Sequence, residues 1–295
     1  MDKKILEKYM KAGKIAAEVR EASKELVKPG ASLLGIAEEL EKIILEKGAE
    51  IAFPINISLN DAAAHYTPYK GETTVIRKDD IVKIDIGVHI DGYIGDTAYT
   101  AGWNEKHNKL IEASQKALEA AIEMCRPGVN VSDIGAKVEE VIEGYGFRPI
   151  SNLTGHGLEK NNLHAEPQIP NTKNSRSHEL AEDQVIAIEP FATNGAGHVK
   201  DSEPTLIYAL FRPVLVRSPA ARDIINYAAS RNGLPFAERW LPLDSRIKIK
   251  LALRELTLQN AVYGYPVLKE AAGGMISQAE HTIIVRDEPI VTTKM

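Results

Sequence analysis

The sequence predicts an α/β protein built from two related halves, with sheets packed together under outer helices and a helical insertion towards the C-terminal end. Three observations carry that reading: an internal duplication, apolar patterns that alternate between helical and strand period, and a basic stretch without a counterpart in the first half. Val27-Lys28-Pro29-Gly30-Ala31-Ser32 returns 98 residues later as Cys125-Arg126-Pro127-Gly128-Val129-Asn130. At the same offset Ile36, Leu40, Glu41, Ile44 and Gly48 meet Ile134, Val138, Glu139, Ile142 and Gly146. Asp79-Asp80-Ile81-Val82-Lys83-Ile84-Asp85 resembles Asp183-Gln184-Val185-Ile186-Ala187-Ile188-Glu189 at an offset of 104. Halves related in this way leave a cleft where they join, with Asp85 and Glu189 on either side of it.

The elements follow in order. A charged amphipathic helix starts almost at Met1-Asp2-Lys3-Lys4-Ile5 and stops at Pro29-Gly30; a capped second helix runs towards Gly48. The second copy repeats the pair around Pro127-Gly128. In both copies a β-branched strand run follows and ends in a carboxylate. From about 205 to 265 the pattern reads as helices around Ala220–Ser230 and Asp244–Asn260, separated by Gly233, Pro235 and Pro242. Thr205–Glu270 holds 10 Lys/Arg against 5 Asp/Glu, whereas the remainder holds 26 against 36. An inserted subdomain at 205–265, within a catalytic body of 1–204 and 266–295, is the economical division.

Composition excludes several classes. At 44% hydrophobic and 26% charged residues, the 295-residue chain reads as globular. A net charge of −5 is too mild to point to a nucleic-acid partner for the whole molecule. The one cysteine, Cys125, permits no internal disulfide; beside Ala117, Ala121 and Met124 it reads as buried core. No stretch approaches the ~18–20 apolar residues of a membrane span, and the N-terminus has no apolar leader core. A reducing cytoplasm is the expected compartment.

The richest segment is Val82-Lys83-Ile84-Asp85-Ile86-Gly87-Val88-His89-Ile90-Asp91-Gly92-Tyr93-Ile94-Gly95-Asp96-Thr97. Asp91-Gly92 between apolar runs signals a tight hairpin, which sets Gly87 against Asp96 and Asp85 against Ala98. Asp85 and Asp96 then share a face, roughly 5–8 Å apart. A shared proton, a basic partner such as Lys83, or a divalent cation would each relieve their repulsion. His156 follows a short strand between Gly155 and Gly157. Glu189 ends an apolar strand, and Glu280 interrupts another from Met275 to Val285. Four acids at apolar strand positions and one glycine-flanked histidine are best explained by one shared cation site.

In order and local context, Asp85, Asp96, His156, Glu189 and Glu280 resemble the metal ligands of the pita-bread metallopeptidases, which include methionine aminopeptidases, prolidases and aminopeptidases P. The resemblance covers nearly the whole chain. It lies with the type 2 methionine aminopeptidases in their archaeal form, on the near-immediate start of the catalytic region, the insertion between the fourth and fifth ligands, and Ala64-His65-Tyr66-Thr67-Pro68 and Glu280-His281-Thr282-Ile283. It implies a pita-bread fold of curved antiparallel sheets and two divalent ions, Co, Mn, Fe or Zn. Asp96 and Glu280 would bridge the ions, Asp85 would chelate one, and His156 and Glu189 would complete the other. It also implies cleavage of initiator methionine from nascent chains, with Glu189 moving a proton, His164 stabilising charge and His65 near the substrate amine. Phe53, Pro54, Leu163 and Tyr265 are the candidates for the methionine pocket. An Xaa-Pro-cleaving hydrolase and a non-catalytic binder of the same fold are the rivals, and a monomer with transient ribosome contact is the expected assembly. Ala279 and Gly157-Leu158 depart from the commoner family residues without changing a ligand. His89, His107, His178, His198 and His281 read as structural or loop residues.

Overall fold

Both copies of the repeated segment fold alike in the computed structural model, which describes residues 1–175 and 177–295. The first comprises α1 (Lys3–Leu26), α2 (Leu33–Glu46), β1 (Glu50–Leu59), β2 (Ala62–Ala64), β3 (Ile81–Ile90) and β4 (Tyr93–Gly102). The second comprises α3 (Asn108–Ile122), α4 (Val131–Gly144), β5 (Arg148–Pro149), β6 (Thr154–Glu159), β7 (Asn162–Pro170), β8 (Val185–Ile188) and β9 (Phe191–Thr193). There follow β10 (Val199–Leu210), α5 (Pro219–Ser230), β11 (Phe236–Ala237), α6 (Arg246–Leu258), β12 (Val262–Glu270), β13 (Ile276–Gln278), β14 (His281–Ile284) and β15 (Ile290–Val291).

The duplication reaches individual hydrogen bonds. Gly30 N–H donates to the Ile76 carbonyl at 2.7 Å, and Gly128 N–H donates to that of Leu180 at 2.8 Å. Both glycines have positive φ, 90° and 84°, which lets the chain leave one helix and enter the next. Ser32 then caps α2 through the Gly35 N–H, and Asn130 caps α4 through that of Ser132. In the first half Ile36, Leu40 and Ile44 pack on Ile57, Ile84 and Ile86. In the second, Ile134, Val138 and Ile142 pack on Ile186, Ile188 and Ile283. The paired strands are antiparallel, in sheets ordered β1-β3-β4, β15-β14-β8-β6-β7, β13-β9-β5 and β11-β10-β12-β2.

The halves meet where β4 runs beside residues 278–282. Glu280 N–H donates to the Ala98 carbonyl at 3.0 Å. Threonine hydroxyls stitch the rest: Asp96 N–H donates to Thr282 Oγ1 at 2.7 Å, Thr97 Oγ1 to the Glu280 carbonyl at 2.9 Å, and Gln278 N–H to Thr100 Oγ1 at 2.8 Å. Asp96 and Glu280 thus belong to different halves but share one backbone framework.

Helices α5 and α6 enclose an apolar cluster of their own, with Ile224, Phe236, Leu253 and Val262. Positions 205 and 265 lie inside β10 and β12, which pair from Val199–Glu270 to Leu210–Val262. The ladder therefore carries the chain out to these helices and back. The buried Arg239 guanidinium donates to the Glu41 carboxylate, and Trp240 Nε1 donates to the same group at 2.9 Å. An ion pair of this kind fixes one docking geometry because separating it strands a buried charge.

Helix α1 lies directly on β4. A Cβ at Gly95 would sit 2.6 Å from Gly13 N, and backbone cannot yield as a flexible side chain would. Gly95→Val is expected to cost about 2–3 kcal/mol through overpacking, read as a lower urea midpoint at unchanged slope. A wild-type midpoint would show that α1 is free to move away.

Candidate metal centre

The hairpin turn forms at Asp91 and Gly92, with φ of 53° and 87° as a tight two-residue turn requires. Register follows from it: Gly87 opposes Asp96 and Asp85 opposes Ala98. Asp85 and Asp96 share a face, within hydrogen-bonding reach of each other. His156 lies inside β6 rather than after a strand. Its flanking glycines are explained by packing, since a Cβ at Gly155 would strike the Ala187 carbonyl and one at Gly157 that of Glu166. Glu280 also differs from the continuous strand expected for Met275–Val285. The strand breaks at Ala279-Glu280 because β13 pairs with β9 while β14 pairs with β8. Glu189-Pro190 is the matching break between β8 and β9, so two carboxylates are released from their ladders at adjacent bends.

These side chains converge. Ligand atoms of Asp96, His156 and Glu280 all lie within 4.8 Å of one another. His156 Nδ1 donates to the Gly157 carbonyl at 3.2 Å. Its Nε2 is left free, 3.8 Å from Glu189 Oε1 and 3.9 Å from Asp96 Oδ2. Gln278 Nε2 donates to Glu189 Oε2 at 3.2 Å. Asp85, Asp96, His156, Glu189 and Glu280 line one cavity.

Four carboxyl groups are buried together without a basic neighbour among the described lining residues. Burial pushes the Asp85 carboxyl up to about 7. Burial and then the neighbouring carboxylates hold Asp96, Glu189 and Glu280 well above their ordinary range. Burial lowers His156 to about 4, which keeps its imidazole neutral and able to act as a ligand. Lys83 does not compensate: its Nζ donates to the Asn60 carbonyl at 2.8 Å. No lysine or arginine is among the described lining residues. Asp85 Oδ1, Asp96 Oδ1 and Glu280 Oε2 are buried with no hydrogen-bond partner. Buried oxygens normally have one, and an oxygen-rich set with one imidazole suits a divalent first-row cation. The residues present fit a metal.

Comparison with known proteins agrees with this chemistry. Residues 7–214 match the profile of metallopeptidase family M24. A methionine aminopeptidase from Pyrococcus abyssi is 49% identical over 293 residues, covering 98% of this chain and 99% of that one. The chain belongs to metallopeptidase family M24. Among solved structures, a methionine aminopeptidase from Thermotoga maritima superposes with a TM-score of 0.73 at 23% identity, covering 100% of this chain and 98% of that one. A thermophilic Arx1 superposes with a TM-score of 0.88 at 19% identity, covering 99% and 91%. At such identities the likeness shows the M24 fold alone.

In this M24 chain the cavity continues from the carboxylates to an apolar wall of Phe53, Leu163 and Tyr265. Pro54, expected beside them, is not among the lining residues: it falls in the register shift of β1 between Phe53 and Asn56, where side chains are re-aimed. His65 and His164 do line the cavity. His65 follows β2 with φ of 65° and its Nδ1 donates to the Pro266 carbonyl at 3.1 Å. His164 lies within β7, its ring 4.8 Å from that of His156 and 5.9 Å from that of Tyr265. Its side chain is exposed within the cavity; desolvation by the surrounding protein, then the neighbouring histidines, lowers its basicity. Asn56, Ala64, Ile207 and Pro235 line the cavity as well. The sequence carried a signal only for Asn56, a polar residue alone in the apolar run Ile51–Ile57. Two of the other histidines make structural contacts: His89 Nδ1 accepts from Gly92 N–H at 3.1 Å and His281 Nδ1 meets Thr293 Oγ1 at 2.8 Å.

Carboxyls with raised folded-state pKa contribute stability that is fully present below about pH 4 and is lost as pH rises through about 7. Chelator-treated protein is therefore expected to lose stability from these groups between about pH 5 and about pH 8. A divalent cation should raise the thermal midpoint more at the higher pH, and Asp85→Asn should shrink that increment. An increment independent of both pH and Asp85 would place the cation elsewhere.

Proposed function

We propose that this chain removes the N-terminal methionine of nascent proteins by metal-dependent hydrolysis of the first amide bond. The observation that carries the reading is the convergence of four carboxylates and a neutral histidine, three of their oxygens orphaned, at the end of an apolar cavity. Nearly full-length identity to a methionine aminopeptidase favours this substrate over the Xaa-Pro and non-catalytic alternatives.

Asp85, Asp96, His156, Glu189 and Glu280 would hold two divalent ions, of Co, Mn, Fe or Zn. When bound, such ions supply Lewis acidity and a nucleophile at neutral pH. Glu189 has a raised proton affinity and one oxygen anchored by Gln278, which suits it to take a proton from water and return it to the departing amine. His164, kept neutral by desolvation and by the neighbouring histidines, has an N–H to offer the carbonyl oxygen as negative charge develops there. His65 stands across the cavity with Nδ1 engaged by backbone and Nε2 left for the substrate. Phe53, Leu163 and Tyr265, with Ile207 and Pro235, form an apolar wall suited to a thioether side chain.

A monomer is the assembly this reading takes, and no helix among the described residues is long and apolar enough to cross a membrane. Nascent chains place the work in the cytoplasm. Exposed Leu251 and Leu258 with Lys250 and Arg254 on α6, and exposed Phe211 and Tyr263 with Arg212 at the adjoining ends of β10 and β12, support ribosome contact. Co-sedimentation with ribosomes is expected to weaken steeply with salt; a salt-independent signal would count against an electrostatic contact.

Metal-reconstituted protein is expected to release methionine from a Met-Ala-Ser peptide and to spare an Xaa-Pro peptide. The opposite preference would favour the prolidase-like rival.

A further inference from the structure

Asn56 sits among the carboxylates, but no role in holding metal or moving protons has fallen to it. It is only 4% exposed and lines the cavity. Its position follows from a fault in the β1–β3 ladder. Pro54 has no N–H to give the ladder, and register shifts occur between Ile51 and Phe53 and between Phe53 and Asn56. Such shifts re-aim side chains, and beyond them Asn56 stands directly opposite Asp85. The amide is oriented by its own strand, because Nδ2 donates to the Pro54 carbonyl at 2.7 Å. Oδ1 is buried with no partner.

The cavity around this oxygen has a surplus of acceptors. Asp85, Asp96, Glu189 and Glu280 present carboxylate oxygens, and His65 and His156 have each given Nδ1–H to a backbone carbonyl. Neither the His164 N–H nor the Tyr265 hydroxyl on the same wall reaches Asn56 Oδ1, which has no partner, so the donor is one the ligand brings. The free α-amine is the donor-rich group that every aminopeptidase substrate carries.

From this geometry we infer that Asn56 Oδ1 accepts a hydrogen bond from the α-amino group of the substrate, so that the bulge in β1 builds a subsite for a free N-terminus. The inference rests on the aminopeptidase reading and deepens it. A carbonyl acceptor at this place adds no charge to a site already crowded with carboxylates, so it recognises the amine without competing for the metal.

The test is calorimetric binding to metal-loaded protein of two ligands, L-methionine and its des-amino analogue 4-(methylthio)butanoate. Asn56→Leu keeps the volume and removes the acceptor. Its affinity for methionine is expected to drop roughly tenfold to a hundredfold, while its affinity for the analogue stays at the wild-type value. Metal content and thermal midpoint report whether the variant is intact; if it is not, Asn56→Ala is read in the same way. Equal losses for both ligands, or no loss for either, would overturn the amine contact. Wild-type protein that fails to bind methionine would overturn the functional reading beneath it, an outcome distinct from a failure of Asn56 alone.

Discussion

Four carboxylates buried together without a lysine or arginine in their cavity wall form the constraint on which the rest of this structure depends. Burial alone raises the proton affinity of each, and their proximity adds to it for Asp96, Glu189 and Glu280. An arrangement of this sort is retained only if another positive charge can take the place of protons. Neighbouring features fit that demand: the orphaned oxygens, the imidazole kept neutral, and the lysine on the same strand turned to a backbone carbonyl.

The constraint also bears on how the halves are joined. Asp85 and Asp96 come from the first half, and His156, Glu189 and Glu280 from the second. The join must therefore hold to a fraction of an ångström, and threonine hydroxyls shared between β4 and residues 278–282 are suited to that. A cation held across this seam would couple the site to the stability of the whole fold. The helical insertion bears on the cavity too: Pro235 comes from the loop after α5, and Arg231 at the end of that helix donates to the Pro235 carbonyl at 3.3 Å and to the Ile51 carbonyl beside the Phe53 wall. An element set apart by composition thus contributes to the pocket.

The boundary between what was legible and what was not follows the range of the interactions. Sequence alone determined the hairpin and its register, because Asp91-Gly92 admits the positive φ values that a tight turn needs and period-two alternation does the rest. It also determined the repeated helix pairs, whose Pro-Gly stops and Ser32 and Asn130 caps act within a few residues. Asp85, Asp96, Glu189 and Glu280 stood out because acids at apolar strand positions are anomalous in one dimension, and His156 because glycines flank it. Tertiary structure decided what depended on strands distant in the chain: the break that frees Glu280, the bulge that turns Asn56 inward, and the replacement of Pro54 by Ile207 and Pro235 in a wall expected to comprise Phe53, Pro54, Leu163 and Tyr265. Local propensity sets the pattern of a strand, but which ladder it joins, and where it must leave one sheet for another, is settled only when both partners are packed.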